Sequence, residues 1–439
     1  MNAPGIAASP GDGRSRQPRI LLITEFFQDD SEFRVFGAFQ RLKRHVVSLA
    51  SLGPVDVVFF LPWASHFSPA DVSRYADNVR RVWPIEGQIR FLNTDVDEAR
   101  RRRLVRRARD FVWMLRGAIS CFDARLTMRT SGPRQARAMR RLIEELKPDL
   151  IFSHCIGCAA PLWRSRMSLP PVVIDFDNLE HVRLARLAKT ETGIVRRFRR
   201  FWEIAITRRA EKLAAQRATK VLLCSEIDRG KLLALAPGAR IEIVPNAADS
   251  LGDMPPATTP TALFVGIMHY LPNKEGAQWL AAKVWPRVRS AIPNAQLVII
   301  GEASDTLNID DPAHGIQTLG FVSDLAHYYR DARLAVCPIW RGGGTRIKII
   351  EAAMQSRATV STSIGAEGLL FQPNTEIVIA DHASKFAEAC VSLLQDANRA
   401  QAIGRAAQAR AVMHYSPSQI VKQTSNLCRQ MLAARTADH

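Results

Sequence analysis

From Arg19 onward the chain alternates short aliphatic runs with longer stretches of helical period, and it does so twice, on either side of one polar break. In the first half the short runs are Ile20–Thr24, Val55–Leu61, Ile89–Leu92, Leu150–Ser153, Val172–Asp175, Val221–Cys224 and Ile241–Val244. They are continuous rather than alternating, the pattern of strands buried on both faces of a parallel sheet. Between them, Val35, Phe39, Leu42, Val46 and Leu49 recur at steps of four, three, four and three and make one apolar stripe. The segment Asp249–Thr261 (DSLGDMPPATTPT) is polar, proline-rich and aperiodic, and reads as a linker. Beyond it, strands are expected at Ala262–Val265, Gln296–Ile300, Gln317–Leu319, Leu334–Cys337, Thr359–Ser361 and Ile377–Ile379. Helices are expected at Gly276–Ala291, Leu325–Asp331, Ile347–Ser356 and Ser384–Leu394. Two such halves predict an α/β protein of two Rossmann-like domains with parallel sheets, facing each other across a cleft.

The length of 439 residues also exceeds one ordinary core. The organisation expected is a disordered leader (1–18), an N-terminal domain (19–248), the linker (249–261), a C-terminal domain (262–414) and a last helix (415–439) packing back on the first domain. Nothing approaches a membrane span. The most apolar stretch, Val46–Trp63, is broken by Ser48, Ser51, Gly53, Pro54 and Asp56. The first 18 residues lack the apolar middle of a secretory signal. Seven cysteines, an odd and scattered set, fit a reducing compartment, so a cytoplasmic location is expected. His154-Cys155-Ile156-Gly157-Cys158 has no second Cys/His pair at ligand spacing and reads as buried packing rather than a metal site.

The net charge of +18 is concentrated in the runs Arg100–Arg109, Arg134–Arg141 and Arg196–Arg209. The last interleaves arginines with Val195, Phe198, Phe201, Trp202 and Ile206. It is either a helix whose apolar face lies on an anionic membrane surface or one whose aromatics pack inward under solvated arginines. No helix-turn-helix, RNP or zinc-finger pattern accompanies the charge, and no nucleic-acid partner is expected.

Two loops of the second half carry chemistry. Leu263-Phe264-Val265-Gly266 runs a strand into a glycine, and Asn273-Lys274-Glu275-Gly276 then opens a helix, whose unpaired N–H groups suit a phosphate. Pro338-Ile339-Trp340-Arg341-Gly342-Gly343-Gly344-Thr345-Arg346-Ile347-Lys348 follows a buried strand and enters a helix. Three consecutive glycines let a backbone approach a ligand and aim N–H groups at it. Arg346 and Lys348 oppose the helix dipole unless an anion sits there, which favours a diphosphate site over a plain turn. Glu351, on the same helix, is either an exposed ion-pair partner of Lys348 or an acceptor for ribose hydroxyls. In the first half, Asp175-Phe176-Asp177-Asn178-Leu179-Glu180-His181 ends a strand at the cleft. It either orients an acceptor hydroxyl or caps a helix through Asp177 or Asn178.

The stretches VGIMHYLPNKEG, LGFVSDLAHYYRDARLAVCP, GGGTRIKIIEAAMQ and VSTSIGAEGL, with VPNAAD before them, resemble the donor half of family 4 retaining glycosyltransferases of the GT-B fold. The resemblance covers most of residues 145–415. It implies a hexosyltransferase that takes a nucleoside diphosphate sugar as co-substrate. With Lys274, Arg346, Lys348 and the loop N–H groups to meet the leaving charge, a metal-independent reaction is expected. The basic runs and the Val195–Arg209 stretch suggest a glycan or lipid-linked glycan acceptor, as in exopolysaccharide assembly at the inner membrane face. The resemblance also implies donor contacts from Gly266, Lys274, Phe321, Val322, Gly343, Gly344, Thr345, Arg346, Lys348 and Glu351. His154, Lys274, Arg346 and Glu351 become the catalytic candidates, and Gly37, His154, Asp177 and Glu180 the acceptor-side ones. The chain departs from the family pattern at Gly343, where the first glutamate of E-x7-E would fall, and at Ile267, where an arginine is common. These departures keep two other readings open: a different reaction on the same scaffold (epimerase or phosphorylase), and a binding protein without turnover.

Overall fold

The computed structural model describes residues 17–25, 37–61, 64–93, 132–164, 167–189, 191–252 and 254–437. Most of the expected leader and the whole Arg100–Arg109 run lie outside them. The first aliphatic runs become β1 (Ile20–Thr24), β2 (Val55–Leu61), β3 (Ile89–Asn93), β4 (Leu150–His154), β5 (Val172–Asp175), β6 (Lys220–Leu223) and β7 (Ile241–Ile243). They form one parallel sheet in the order β3-β2-β1-β4-β5-β6-β7. Every residue of β1, β2 and β4 is buried, because helices cover both faces of the sheet.

After the linker come β8 (Thr261–Val265), β9 (Gln296–Ile300), β10 (Ile316–Thr318), β11 (Leu334–Cys337), β12 (Ala358–Ser361) and β13 (Val378–Ile379). Their sheet is also parallel, in the order β10-β9-β8-β11-β12-β13. In each sheet the winding reverses once, between β1 and β4 and between β8 and β11. A crevice opens beyond the strand ends at such a reversal. Gly266 follows β8 and the glycine loop follows β11, so both chemistry-bearing loops meet at the second crevice.

The helix expected from Gly276 starts earlier, at Leu271, with Pro272 in its first turn. It continues to Ala291 through a widened turn at Leu280–Val284 that precedes Pro286. A proline lacks the N–H of a regular helical ladder, and the wider turn absorbs the defect. The linker is not loose. Gln355 accepts from the Leu251 N–H at 2.9 Å and donates to the Asp249 carbonyl at 3.0 Å, and Met254 is buried. The last helix, Pro417–Ala437, returns to the first domain, burying Ile420, Leu427, Cys428 and Met431 in its core. Gln423 donates to the Ile243 carbonyl at 2.7 Å, which ties this helix to β7.

Of the basic runs, Arg134–Arg141 lies on the helix Pro133–Leu146, which buries Ala136, Met139, Leu142 and Ile143 and leaves its arginines in solvent. The run at Arg196 behaves differently. Phe198 and Phe201 are exposed, which overturns the inward-packing alternative for those two rings. Cys158 is fully buried with its Sγ 3.7 Å from that of Cys155, the packing role expected of this pair.

Candidate functional site

The floor of the second crevice is built by close approach of backbones. The Gly266 N–H donates to the Ile300 carbonyl at 2.8 Å, and the Gly301 N–H donates to the Gly320 carbonyl at 2.8 Å. The ends of β8, β9 and β10 are thereby stacked into one shelf, with Phe321 and Val322 at its rim, both half-buried. Gly266 serves space rather than a special backbone angle. A Cβ there would stand 2.7 Å from Lys348 Nζ and 2.8 Å from Asn273 Nδ2.

Lys348 and Glu351 sit on the helix Ile347–Met354. Lys348 Nζ donates to Asn273 Oδ1 at 2.8 Å and lies 4.4 Å from the centre of the Phe264 ring. Burial lowers its pKa to about 8. Burial also raises Glu351 to about 7, and Lys348 only partly offsets this. A base and an acid are thus brought close to neutrality on one face of one helix, the kind of perturbation that marks ligand sites. The first turns of two helices thus meet through Asn273 and Lys348, and Lys274, next to Asn273 in the chain, is exposed.

The glycine loop is organised by guanidinium groups on its carbonyl side. Arg346 donates to the carbonyls of Gly343 (2.8 Å), Gly344 and Arg341 (3.4 Å), while Arg186 from the first domain donates to the Gly342 carbonyl at 2.8 Å. Arg346 is buried in this task, so it shapes the loop instead of standing free as the phosphate ligand expected from its position. Gly342 and Gly344 have φ of 114° and 65°, values other residues rarely adopt. Among the described residues, the N–H groups of Gly342, Gly343, Gly344 and Thr345 donate to no protein acceptor. With its carbonyls engaged and its N–H groups left without protein acceptors among the described residues, the loop has donors to offer an anion.

The two domains touch at this loop. A Cβ on Gly343 would lie 3.2 Å from Asn178 Oδ1 and 3.3 Å from Arg183 Cβ. Gly344 faces the Asp177 carbonyl, and Asn246 donates to Thr345 Oγ1 at 2.9 Å. Arg186 pairs with Glu367 at 2.7 Å, and Lys231 joins the same carboxylate at 3.2 Å. Gly37, an acceptor-side candidate, abuts Ile347 at the start of the donor-side helix.

On the first domain, the structure buries what the sequence placed at the cleft. His154 has no solvent exposure and rests near Thr24 Oγ1 at 3.4 Å. Burial lowers its pKa to about 4, so it is a neutral imidazole and not an open acceptor-side ligand. It belongs to a cluster that sequence reading missed. Arg41 holds Asp175 through both carboxylate oxygens (2.7 and 2.8 Å), and His45 reaches the same carboxylate at 3.0 Å. Burial works against the Asp175 charge, but Arg41 and His45 outweigh it and keep the carboxyl well below its ordinary range. The apolar stripe of the helix Gly37–Ala50 gave no hint that Arg41 and His45 turn inward with it.

Asp177 is the cleft-side member of this group, at a φ of 53°, with burial raising its pKa to about 6. Neither Asp177 nor Asn178 caps the next helix. Leu179 holds the cap position of Glu180–Ala188, and Glu211 accepts from the Glu180 N–H at 2.7 Å while pairing with His181. Glu180 is turned to Arg183 at 2.6 Å. The site that emerges is a cationic, amide-lined crevice on one domain closed by a charged loop from the other.

Known families match both halves. Residues 259–396 match the model of glycosyl transferases group 1, and residues 114–250 match that of glycosyltransferase family 4. A Klebsiella pneumoniae protein described as an uncharacterised 44.6 kDa protein in the cps region is 29% identical over 135 residues. That stretch is 29% of this chain and 35% of that protein, so the match spans about a third of the curated relative. Among solved structures, sucrose-phosphate synthase from Thermosynechococcus elongatus superposes with a TM-score of 0.64 at 17% identity, covering 95% of this chain and 100% of that one. S. aureus TarM gives 0.66 at 11%, covering 94% and 99%. Anabaena HepE, solved in complex with UDP and glucose, gives 0.60 at 13%, covering 94% and 99%. At these identities the structures speak for the fold, and the two family models speak for the lineage. The chain is a family 4-like glycosyltransferase of the GT-B fold.

Proposed function

We propose that this chain transfers a hexose from a nucleoside diphosphate sugar to a hydroxyl acceptor with retention, the acceptor being a lipid-linked or polysaccharide glycan. The observation that carries the reading is the glycine loop, whose N–H groups at Gly342–Thr345 donate to no acceptor among the described residues, followed in the next helix by Lys348, held by Asn273. As the bond from the anomeric carbon to the diphosphate breaks, its electron pair passes to the phosphate oxygen. Fixed N–H donors and Lys348, with Lys274 at the rim, stabilise that charge as it develops. Glu351 accepts the ribose hydroxyls. The acceptor oxygen attacks the same face of the sugar and its proton passes to the departing phosphate, without a carboxylate beneath the ring. These protein donors supply the leaving-group stabilisation in the proposed reaction, so no metal requirement is built into it. The solved complex of HepE with UDP and glucose supports a nucleotide-sugar donor. The relative in a cps region gives weak support to a saccharide acceptor.

The test is product formation with UDP-, GDP- and ADP-hexoses, with and without EDTA, preceded by thermal shift against UDP, GDP and ADP. One nucleotide should raise the melting temperature, and its sugar should be consumed with EDTA present. Nucleotide binding with neither transfer nor donor hydrolysis would instead identify a binding protein.

A further inference from the structure

The helix Ile194–Arg217 leaves the body of the protein at its N-terminal end. Ile194, Val195, Phe198 and Phe201 are 86%, 82%, 58% and 65% exposed, while Glu203, Ile206, Thr207, Ala210, Glu211 and Ala214 are buried further along. At about 100° per residue, Ile194, Val195, Phe198 and Phe201 fall within one arc of roughly 120°, while Trp202, further along, packs back toward Ala160, Ile206 and Ala210. The buried residues centre on the opposite side of the helix, so the apolar arc is turned away from the protein. Arginines border the arc on both sides, Arg197 on one and Arg199 on the other, with Arg196 and Arg200 behind. Arg199 and Arg200 pair with Glu203, and Arg200 also with Glu191. Among the described residues, Arg196 and Arg197 have no acidic partner.

Exposed aromatic and branched side chains in water are unfavourable unless something covers them. We infer that this projecting tip docks on an anionic phospholipid bilayer, inserting Ile194, Val195, Phe198 and Phe201 among the acyl chains near the headgroups. The flanking charge decides the occupant. An arc of this kind bordered by Arg197, with Arg196 behind it, suits a surface that is apolar within and anionic at its boundary. A second copy of this chain carries the same cations and would be repelled. The preceding helix, Glu180–Ala188, packs on this one and carries Arg186 to the Gly342 carbonyl. Docking would therefore hold the interdomain crevice beside the membrane, where a lipid-linked acceptor lies. The inference does not depend on the transfer reaction.

The experiment is co-sedimentation of the full chain with phosphatidylcholine vesicles and with vesicles containing a quarter phosphatidylglycerol, at low and high salt. A variant carrying Ile194→Ser, Phe198→Ser and Phe201→Ser, and a second carrying Arg196→Gln and Arg197→Gln, are run beside it with their melting temperatures. All five positions are on the surface, so folding should be retained. The wild type should bind the anionic vesicles at least tenfold better than the neutral ones. The serine variant should lose that binding at least tenfold, and the glutamine variant should lose much of the preference for anionic lipid. No binding to anionic vesicles at low salt overturns the inference, as does equal binding by the serine variant. Concentration-dependent self-association abolished by the serine changes would assign the face to a second copy, and so would also overturn it.

Discussion

Lys348 Nζ fills the space that a side chain at Gly266 would need, 2.7 Å from the position of the missing Cβ, and from there donates to Asn273 at 2.8 Å. The glycine after β8 and the lysine after β11 are thus one feature contributed by two loops. Gly266→Ala meets only the far ends of two movable side chains, and its backbone angle is one that alanine tolerates. Stability should therefore change by no more than about 1 kcal/mol. Lys348 must still leave its place, and nucleotide affinity should fall about tenfold, equivalent to about 1.4 kcal/mol. Calorimetric titration beside a denaturant melt separates these two numbers. A variant that binds normally would mean that Lys348 is not a donor contact.

The second prediction concerns pH. Binding as proposed needs Glu351 ionised and Lys348 charged, yet burial sets them at about 7 and about 8. Affinity of the unliganded protein should rise as pH passes through about 7 and fall above about 8, a narrow bell. Glu351→Gln should remove the acid limb and keep the alkaline one. In the stability of the unliganded protein the sign is opposite to that of a salt-bridged carboxylate. The folded state holds the Glu351 proton more tightly than the unfolded state, so stability declines as pH rises from about 4.5 to about 7. Glu351→Gln should therefore raise the melting temperature more at pH 8 than at pH 5.

Gly343 stands where the family pattern has a glutamate, and the structure supplies a reason. Asn178 and Arg183 close on it from the other domain at 3.2 and 3.3 Å. Restoring the pattern with Gly343→Glu should not raise activity. It should prise the domains apart at a cost of about 1–3 kcal/mol, as overpacking does, and lower turnover. Small-angle scattering of the variant should show a more open molecule; an unchanged envelope with increased turnover would refute this account of the glycine.

The sheets were legible because their strands are short, continuous and aliphatic, and that signal survives without alignment. That Lys348 and Glu351 share one helix entered from the glycine loop was legible because the helical period resumes directly after the glycines. His154 was misjudged for a physical reason. The last residue of a strand near a reversal point can face the crevice or sink beneath it, and only the neighbouring helix decides. Here Gly37–Ala50 brings Arg41 and His45 inward and seals the position. Arg346 was misjudged likewise, since its charge predicts an anion but not that the loop's own carbonyls take it first. Glu211, which accepts from the first turn that Asp177 or Asn178 was one candidate to cap, lies 31 residues from Glu180 and leaves no local trace.

The Arg41–Asp175 pair yields the last prediction. Both groups are almost wholly buried, and Arg41 also donates to the Val244 carbonyl at 2.7 Å and to Asn246 at 3.3 Å, next to the interdomain linker. Arg41→Met removes the cation and leaves a carboxylate in a dry site with His45 as its remaining strong partner. Breaking one side of such a pair costs about 3–5 kcal/mol. In the wild type, burial holds the His45 pKa down and Arg41 adds to the effect, while Asp175 opposes it. Without Arg41, His45 should take a proton and its folded pKa should rise above the unfolded value. Stability gained that way is complete below about pH 6.5 and is lost as pH climbs through the new folded value. Urea melts should accordingly show a larger deficit for the variant at pH 8 than at pH 5.5. A deficit that does not vary between the two would mean that Asp175 finds its proton elsewhere, and that His45 is only packing.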